Sequence, residues 1–243
     1  MTFHVLTIFP EFFRGIFDHG VVGRAVQSGA IHVRVHNLRD WTSDRHKTVD
    51  DRPFGGGEGM LLKPEPVFLA VDSIWPSRDA SRQSVLLSAQ GRPFNQEIAR
   101  RLNQASELLL ICGRYEGVDE RVSQHLADWE LSIGDFVLSG GELAAALVLE
   151  TVARLVPGVV GNPESTVRES FSAAPEDSLS NGGILDCPQY TRPAEFRGWR
   201  VPDVLLGGNH EQIRQWRRQA ALDKTARLRP DLLRNLTTKE VLQ

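Results

Sequence analysis

The strongest constraint on what this 243-residue chain can fold into is a rhythm. Short apolar, β-branched runs at residues 3–9, 31–38, 84–89, 108–112 and 130–133 recur along the first two thirds, with helical patterns at 67–74, 95–103 and 118–127 between several of them. Strands alternating with helices of this length predict βαβ units and a mostly parallel sheet, an α/β fold. Residues 141–155 are rich in strong helix formers and predict a long, largely buried helix, with Glu150 and Arg154 four residues apart on one side. The length is enough for one large domain, or for a main domain with a smaller partner.

From Pro157 onward Gly and Pro punctuate a stretch dense in Ser, Glu and Asp, which predicts a linker. Beyond it, residues 209–221 carry Ile213, Trp216 and Ala220 at helical spacing beside Arg214, Arg217 and Arg218, so a small helical C-terminal domain is expected. The expected boundaries are 1–160, 161–195 and 196–243.

Charge follows the same division. The whole chain holds 28 Lys plus Arg against 31 Asp plus Glu, a net charge of −3, which excludes a strongly basic nucleic-acid coat. Residues 1–189, however, hold 17 basic and 25 acidic side chains, a net of −8, whereas 190–243 hold 11 and 6, a net of +5. A basic segment on an acidic body can grip a polyanion locally, and it can equally be a solvated helical face. With 41% hydrophobic and 24% charged residues, the disordered and collagen-like classes drop out.

Cys112 and Cys187 stand far apart and in no C-x-x-C arrangement, which argues against a disulfide framework or a cysteine zinc site and for a reducing, cytoplasmic compartment. The first ten residues lack a basic leader and break at Pro10, so no signal peptide is expected, and no apolar run approaches the ~18 residues of a membrane span.

Several common sites are missing. Gly55-Gly56-Gly57-Glu58-Gly59 is not followed by Gly-Lys-Ser/Thr, and no Gly-x-Gly-x-x-Gly follows the first strand, so P-loop and classical dinucleotide sites lose ground. His32 and His36, four residues apart on a strand, are ~13 Å from each other, too far to share one metal. No Gly-x-Ser-x-Gly elbow marks a serine hydrolase. Three glycine-bearing turns remain, each at the carboxyl end of an expected strand: Gln90-Gly91-Arg92, 112–117 and 133–142. In open α/β sheets ligands bind at these ends, and glycine lets backbone approach a ligand closely. Each turn taken singly is also explained as a tight βα connection.

Taken together, the motifs resemble a known family. Cys112-Gly113-Arg114-Tyr115-Glu116-Gly117-Val118-Asp119-Glu120-Arg121, Ser132-Ile133-Gly134-Asp135-Phe136-Val137-Leu138-Ser139-Gly140-Gly141-Glu142, Pro53-Phe54-Gly55-Gly56-Gly57-Glu58-Gly59-Met60 and Tyr190-Thr191-Arg192-Pro193 closely resemble the bacterial tRNA (guanine-N(1))-methyltransferases, the TrmD family of the SPOUT superfamily. Thr7-Ile8-Phe9-Pro10, Asn209-His210, Trp216-Arg217 and Arg229-Pro230-Asp231 extend the likeness nearly end to end.

The resemblance implies a deep trefoil knot in the parallel-sheet domain, a small α-helical C-terminal domain and a homodimer whose active site is shared between subunits. It implies an S-adenosylmethionine-dependent enzyme that methylates N(1) of guanosine at position 37 of tRNA. By the same likeness, residues 1–160 hold the cofactor around Leu87, Gly113, Ile133, Gly134, Asp135, Phe136, Val137 and Leu138, with Tyr115, Glu116, Gly140 and Gly141 nearby. The family pattern places an Asp base in the linker and an Arg at Arg154. Counting forward from Gly161-Asn162-Pro163 puts Glu169 at the base position, and counting back from Leu185-Asp186-Cys187-Pro188 puts Asp177 there. Asp177 is preferred because it keeps both the Asp and the Glu before it. For tRNA, the resemblance points to His46, Asp50 and Gly59 around the target base, and to Asn209, Arg214, Arg217, Lys224 and Arg229 in the C-terminal domain. A divalent ion, Mg2+, is a possible aid, with no ligand cluster in the sequence to hold it.

Overall fold

The computed structural model of the chain describes residues 1–162, 164–167, 169–172 and 183–233. The chain divides into two compact units, Met1–Gly161 and Asn162–Gln243. The first contains, in chain order, β1 (Thr2–Thr7), α1 (Gly20–Gln27), β2 (His32–Asn37), β3 (Asp50–Asp51), β4 (Leu61–Leu62), α2 (Pro64–Ile74), β5 (Arg82–Pro93), α3 (Gln96–Leu102), β6 (Glu107–Cys112), α4 (Glu120–His125), β7 (Trp129–Ser132) and α5 (Glu142–Ala153). Five strands form one sheet in the order β2-β1-β6-β5-β7, and every pairing within it is parallel.

The two-residue period of the strands assigns side chains to two cores. Phe3, Val5, Val85, Leu87, Leu108 and Leu110 pack on one face with α1, α3 and α5. Leu6, Leu86, Leu109 and Ile111 pack on the other with α2 and α4. Because both faces are covered, β6 reads as a continuous apolar run, as central parallel strands do. Among the described residues, no helix is long and apolar enough to cross a membrane.

Three local outcomes differ from the expectation. Helix α4 starts later than residue 118, because the Asp119 carboxylate accepts from the Arg121 N–H and caps it. The α1 segment had no counterpart in the sequence reading, its Val-Val-Gly-Arg-Ala-Val being too short to declare a period. Gln90-Gly91-Arg92 is not a strand-to-helix turn. It lies within β5, which bulges out over residues 88–91 and then returns to the same neighbour, so that Leu131 stands opposite both Leu87 and Arg92.

The second unit holds a short helix α6 (Glu164–Val167), a two-stranded hairpin of β8 (Glu195–Phe196) and β9 (Trp199–Arg200), a one-turn α7 (Asp203–Leu206) and α8 (His210–Leu228). Helix α8 runs seven residues past the expected end at 221, tied by the Thr225 hydroxyl, which donates to the Ala221 carbonyl and accepts from the Leu185 N–H.

The sheet also buries a polar chain that sequence spacing did not reveal. Glu107 accepts from His4 Nε2 at 3.0 Å and from Trp75 Nε1 at 2.9 Å, and His4 Nδ1 lies 2.9 Å from His36 Nε2. Since the carboxylate only accepts, His4 Nε2 donates to it; with both rings neutral, as their burial favours, His4 Nδ1 accepts from the His36 Nε2–H. Burial, then the neighbouring His4 and Arg34, push His36 down to about 4. His4 is lowered as well, its burial outweighing the pull of Glu107. Burial would raise Glu107, but its bonds from Trp75, His4 and Arg82 hold it below the usual carboxylate range. The unfolded chain therefore takes up protons near pH 6.5 that the folded chain refuses until about pH 4 at His36, so these histidines cost stability as pH falls through that window. Glu107 keeps its contribution there, because it is lost only at lower pH. Thermal melts at pH 7 and pH 5 should show a smaller drop in Tm for His36→Asn than for the wild type, by roughly 2–4 °C for about 1 kcal/mol after solvent screening of the half-buried ring.

Candidate active site

The carboxyl ends of β5, β6 and β7 open into a cavity of about 470 Å³. Three segments converge on it: the bulge at 88–91, the loop 113–117 and the loop 133–141. Their convergence is a backbone-to-backbone fit. A Cβ on Gly91 would meet the Leu131 nitrogen at 2.5 Å, and one on Gly141 would meet the Cys112 Cα at 2.8 Å. The Gly141 N–H donates to the Gly113 carbonyl at 2.9 Å, which joins two of the segments directly, and the Phe94 N–H donates to the Ser132 carbonyl at 2.8 Å where β5 runs on past the bulge.

Eleven of the twelve residues expected at a cofactor line this cavity, and Asp135 is the one that does not. Gly134, at φ +151°, lets Phe136 fold back against it. Tyr115 is held in the left-handed region at φ +59° by a bridge to Leu61. Beside it the Glu116 N–H donates to the Met60 carbonyl, and a Cβ on Gly59 would strike the Glu116 side chain at 2.5 Å. The Gly-rich segment ending at Gly59 is thus docked on the cavity rim. Asp50 lies on β3, opposite Leu62 of β4, and His46 is exposed on the preceding loop, its N–H donating to Asp44.

Sequence reasoning missed the polar groups that brace the site. Glu130 lines the cavity and accepts from Ser123 Oγ at 2.6 Å and Gln90 Nε2 at 2.8 Å, which ties the bulge to α4. Glu142 is 1% exposed at the start of α5, followed by seven apolar residues before the exposed Glu150. One oxygen accepts from Thr7 Oγ1 at 2.8 Å, and the other faces Arg114 Nε at 3.2 Å, while Arg114 Nη1 donates to the Ser139 carbonyl. A charged residue opening the apolar run 143–149 is the available signal, and its cation sits in a different motif. Among the described residues, Glu116, Glu120 and Glu130 line the cavity against a single cation, Arg114, so it favours a positively charged guest.

Arg154 lies elsewhere. It is the C-cap of α5, ten residues beyond Ala144, the last residue of this helix to line the cavity, so about 15 Å of helix separates it from its own cavity. Glu169 belongs to the second unit, where it is half-buried, and Asp177 lies outside the described residues. Asn209 caps α8, accepting from the N–H groups of Glu211 and Gln212. Lys224 Nζ donates to the Asp186 carbonyl, and Arg214 and Arg229 pair with Glu211 and Asp231. Arg217 lines a groove in the same unit. Among the described residues, no three His, Cys, Asp or Glu side chains gather as a metal site.

Against this geometry stand the relatives. A family model described as tRNA (Guanine-1)-methyltransferase TrmD matches residues 1–235. The chain belongs to this family. A tRNA (guanine-N(1)-)-methyltransferase of Koribacter versatilis is 54% identical over 96% of this chain and 92% of its own length. Proteins of the same name from Dictyoglomus turgidum and Moorella thermoacetica are 50% and 51% identical, over 98% and 96% of this chain and 93% and 90% of theirs.

Two substitutions test the bracing. Gly91→Ala should lose about 1–3 kcal/mol in urea unfolding, since backbone on the far side cannot yield. Glu142→Ala should lose about 3 kcal/mol by leaving Arg114 and Thr7 without their acceptor, and Glu142→Gln, which keeps the Thr7 bond, should lose less.

Proposed function

We propose that the chain transfers the methyl group of S-adenosylmethionine to N(1) of guanosine 37 in tRNA, using the cavity at the carboxyl ends of β5, β6 and β7. The observation that carries this reading is the convergence of three motif segments on one carboxylate-lined cavity in a member of this family. The residues fit the cofactor on three counts. The volume lies within the ~300–1,000 Å³ of ligand pockets, glycine backbone lines the walls, and the acidic rim suits a sulfonium and an amino group. When bound, S-adenosylmethionine supplies an activated methyl group.

The chain's own groups manage position and proton. Backbone of Leu87, Gly113 and the 133–138 loop holds the cofactor, and Glu116 faces its positive charge. The Gly59 segment, packed on Glu116, links target-base binding to the cofactor rim. Guanine N(1) carries a proton and attacks only once a carboxylate accepts it, and negative charge growing on O6 needs a cation. Asp177, with Glu169 as the second candidate, takes the proton, and Arg154 faces O6.

The position of Arg154 supports a homodimer. One subunit keeps it about 15 Å of helix from its own cavity, whereas antiparallel pairing of α5 with its copy brings the partner's Arg154 to the helix start. Leu143 at 56% exposure and Leu147 at 43%, one turn apart on α5, offer the apolar face. A trefoil knot accords with the close passage of Gly91 behind Leu131 and of Gly141 behind Cys112. In this reading residues 1–160 carry the chemistry, 161–195 the base, and 196–243 a mostly helical tRNA grip. The free cysteines accord with cytoplasmic work.

Labelled methyl transfer to a tRNA transcript with guanosine at position 37, and none with adenosine there, is the expected result. Asp177→Asn should reduce kcat at least ~100-fold and Glu169→Gln only mildly, and the reverse ranking would reassign the base. Arg154→Ala should lower kcat more than it raises the KM for cofactor, and sedimentation should give a dimer.

A further inference from the structure

The second unit has a groove of its own. Segment 188–194, the hairpin base at Ala194 and Val201, Leu205 and Leu206 of α7, and Ile213, Trp216 and Arg217 of α8 enclose about 380 Å³. Two aromatic rings stand in it, Tyr190 and Trp216, with centroids 6.4 Å apart and planes at 53°. Tyr190 keeps half its surface exposed, leaving a ring face open beside the apolar lining. The groove's charge is opposite to that of the first cavity: among the described residues, its lining includes Arg192 and Arg217 and no carboxylate. Arg214 and Arg229 nearby are held by Glu211 and Asp231, but Arg192 and Arg217 pair with no carboxylate among the described residues. The surrounding segment, 190–243, is net +5.

An exposed π-face on an apolar floor, flanked by two guanidinium groups that meet no carboxylate among the described residues, matches one ligand chemistry. Unpaired RNA bases are recognised when splayed out and stacked on aromatic rings, and guanidinium groups meet the phosphates on either side. An apolar peptide would leave both cations without partners. We propose that this groove takes one unstacked nucleobase of the bound RNA against the Tyr190 ring, with Trp216 as its back wall and Arg192 and Arg217 on the adjoining phosphates. The proposal rests on the reading of tRNA as substrate and adds to it a second base-binding point, apart from the target base.

The test uses the full-length protein with Tyr190→Phe, which keeps the π-face, and Tyr190→Leu, which keeps apolar bulk without it. Affinity for a tRNA transcript and for a short single-stranded oligoribonucleotide is measured by fluorescence anisotropy, with circular dichroism to check folding and sedimentation to record chain size. Tyr190→Phe should bind both RNAs as the wild type does, while Tyr190→Leu should bind about tenfold more weakly, with KM for tRNA raised and KM for S-adenosylmethionine unchanged. Equal binding by the two variants, whether both like the wild type or both weak, would overturn the proposal. So would a change of chain size in place of RNA affinity, which would make the groove a protein contact. Failure of the wild type to methylate any tRNA is a separate outcome that strikes the substrate reading instead, and wild-type transfer with unaltered variants strikes only the groove.

Discussion

The site depends on backbone touching backbone. Gly91 lies against Leu131, and Gly141 against Cys112, at distances where a single methyl group would collide with main-chain atoms. Main chain cannot swing aside as a side chain can, so these contacts fix the three cavity segments relative to the strand ends. The rest of the site follows from that. The bulge hangs over the cavity because β5 leaves β7 at Leu87 and returns at Arg92. Helix α5 begins where it does because Gly141 is pinned to Gly113. Glu142 is then buried beside Thr7 and Arg114, which turns a geometric seam into an electrostatic one.

The charge of the chain takes its meaning from this arrangement. Acidic side chains ring the first cavity, where a cationic methyl donor is proposed, and the guanidinium groups of Arg192 and Arg217 line the groove of the second unit. A nearly neutral total hides two local fields of opposite sign, each matched to a different partner. Such fields act within about a Debye length of 8–10 Å at moderate salt, so it is the lining of each site that counts and not the sum over the chain.

Much of the sheet was legible because its signal is local. The two-residue alternation of Phe3, Val5, Leu108 and Leu110 against Leu6, Leu109 and Ile111 exists in the sequence before any fold does. The glycine motifs likewise marked the cavity segments, although Asp135 proved to lie off the lining. What escaped was non-local. The return of β5 past Gly91 needs the Leu131 backbone as its partner, and the Glu142–Arg114 pair joins two motifs 28 residues apart. The His4–His36–Glu107 chain joins three strands whose neighbours only the sheet order supplies. Asn209 had a local signal, an Asn before a helix, which the sequence reading passed over in favour of an RNA contact. Asp177, preferred on sequence grounds, falls outside the described residues.

In the proposed site one molecule of S-adenosylmethionine is held jointly by the bulge, the 113–117 loop and the 133–141 loop. Amide hydrogen exchange with and without S-adenosylmethionine reads this out, because all three segments would hold the ligand through their backbone. Exchange should slow in 87–91, 113–117 and 133–141 together, with 188–206 unchanged. Protection confined to one of the three, or found in 188–206 instead, would overturn the shared site.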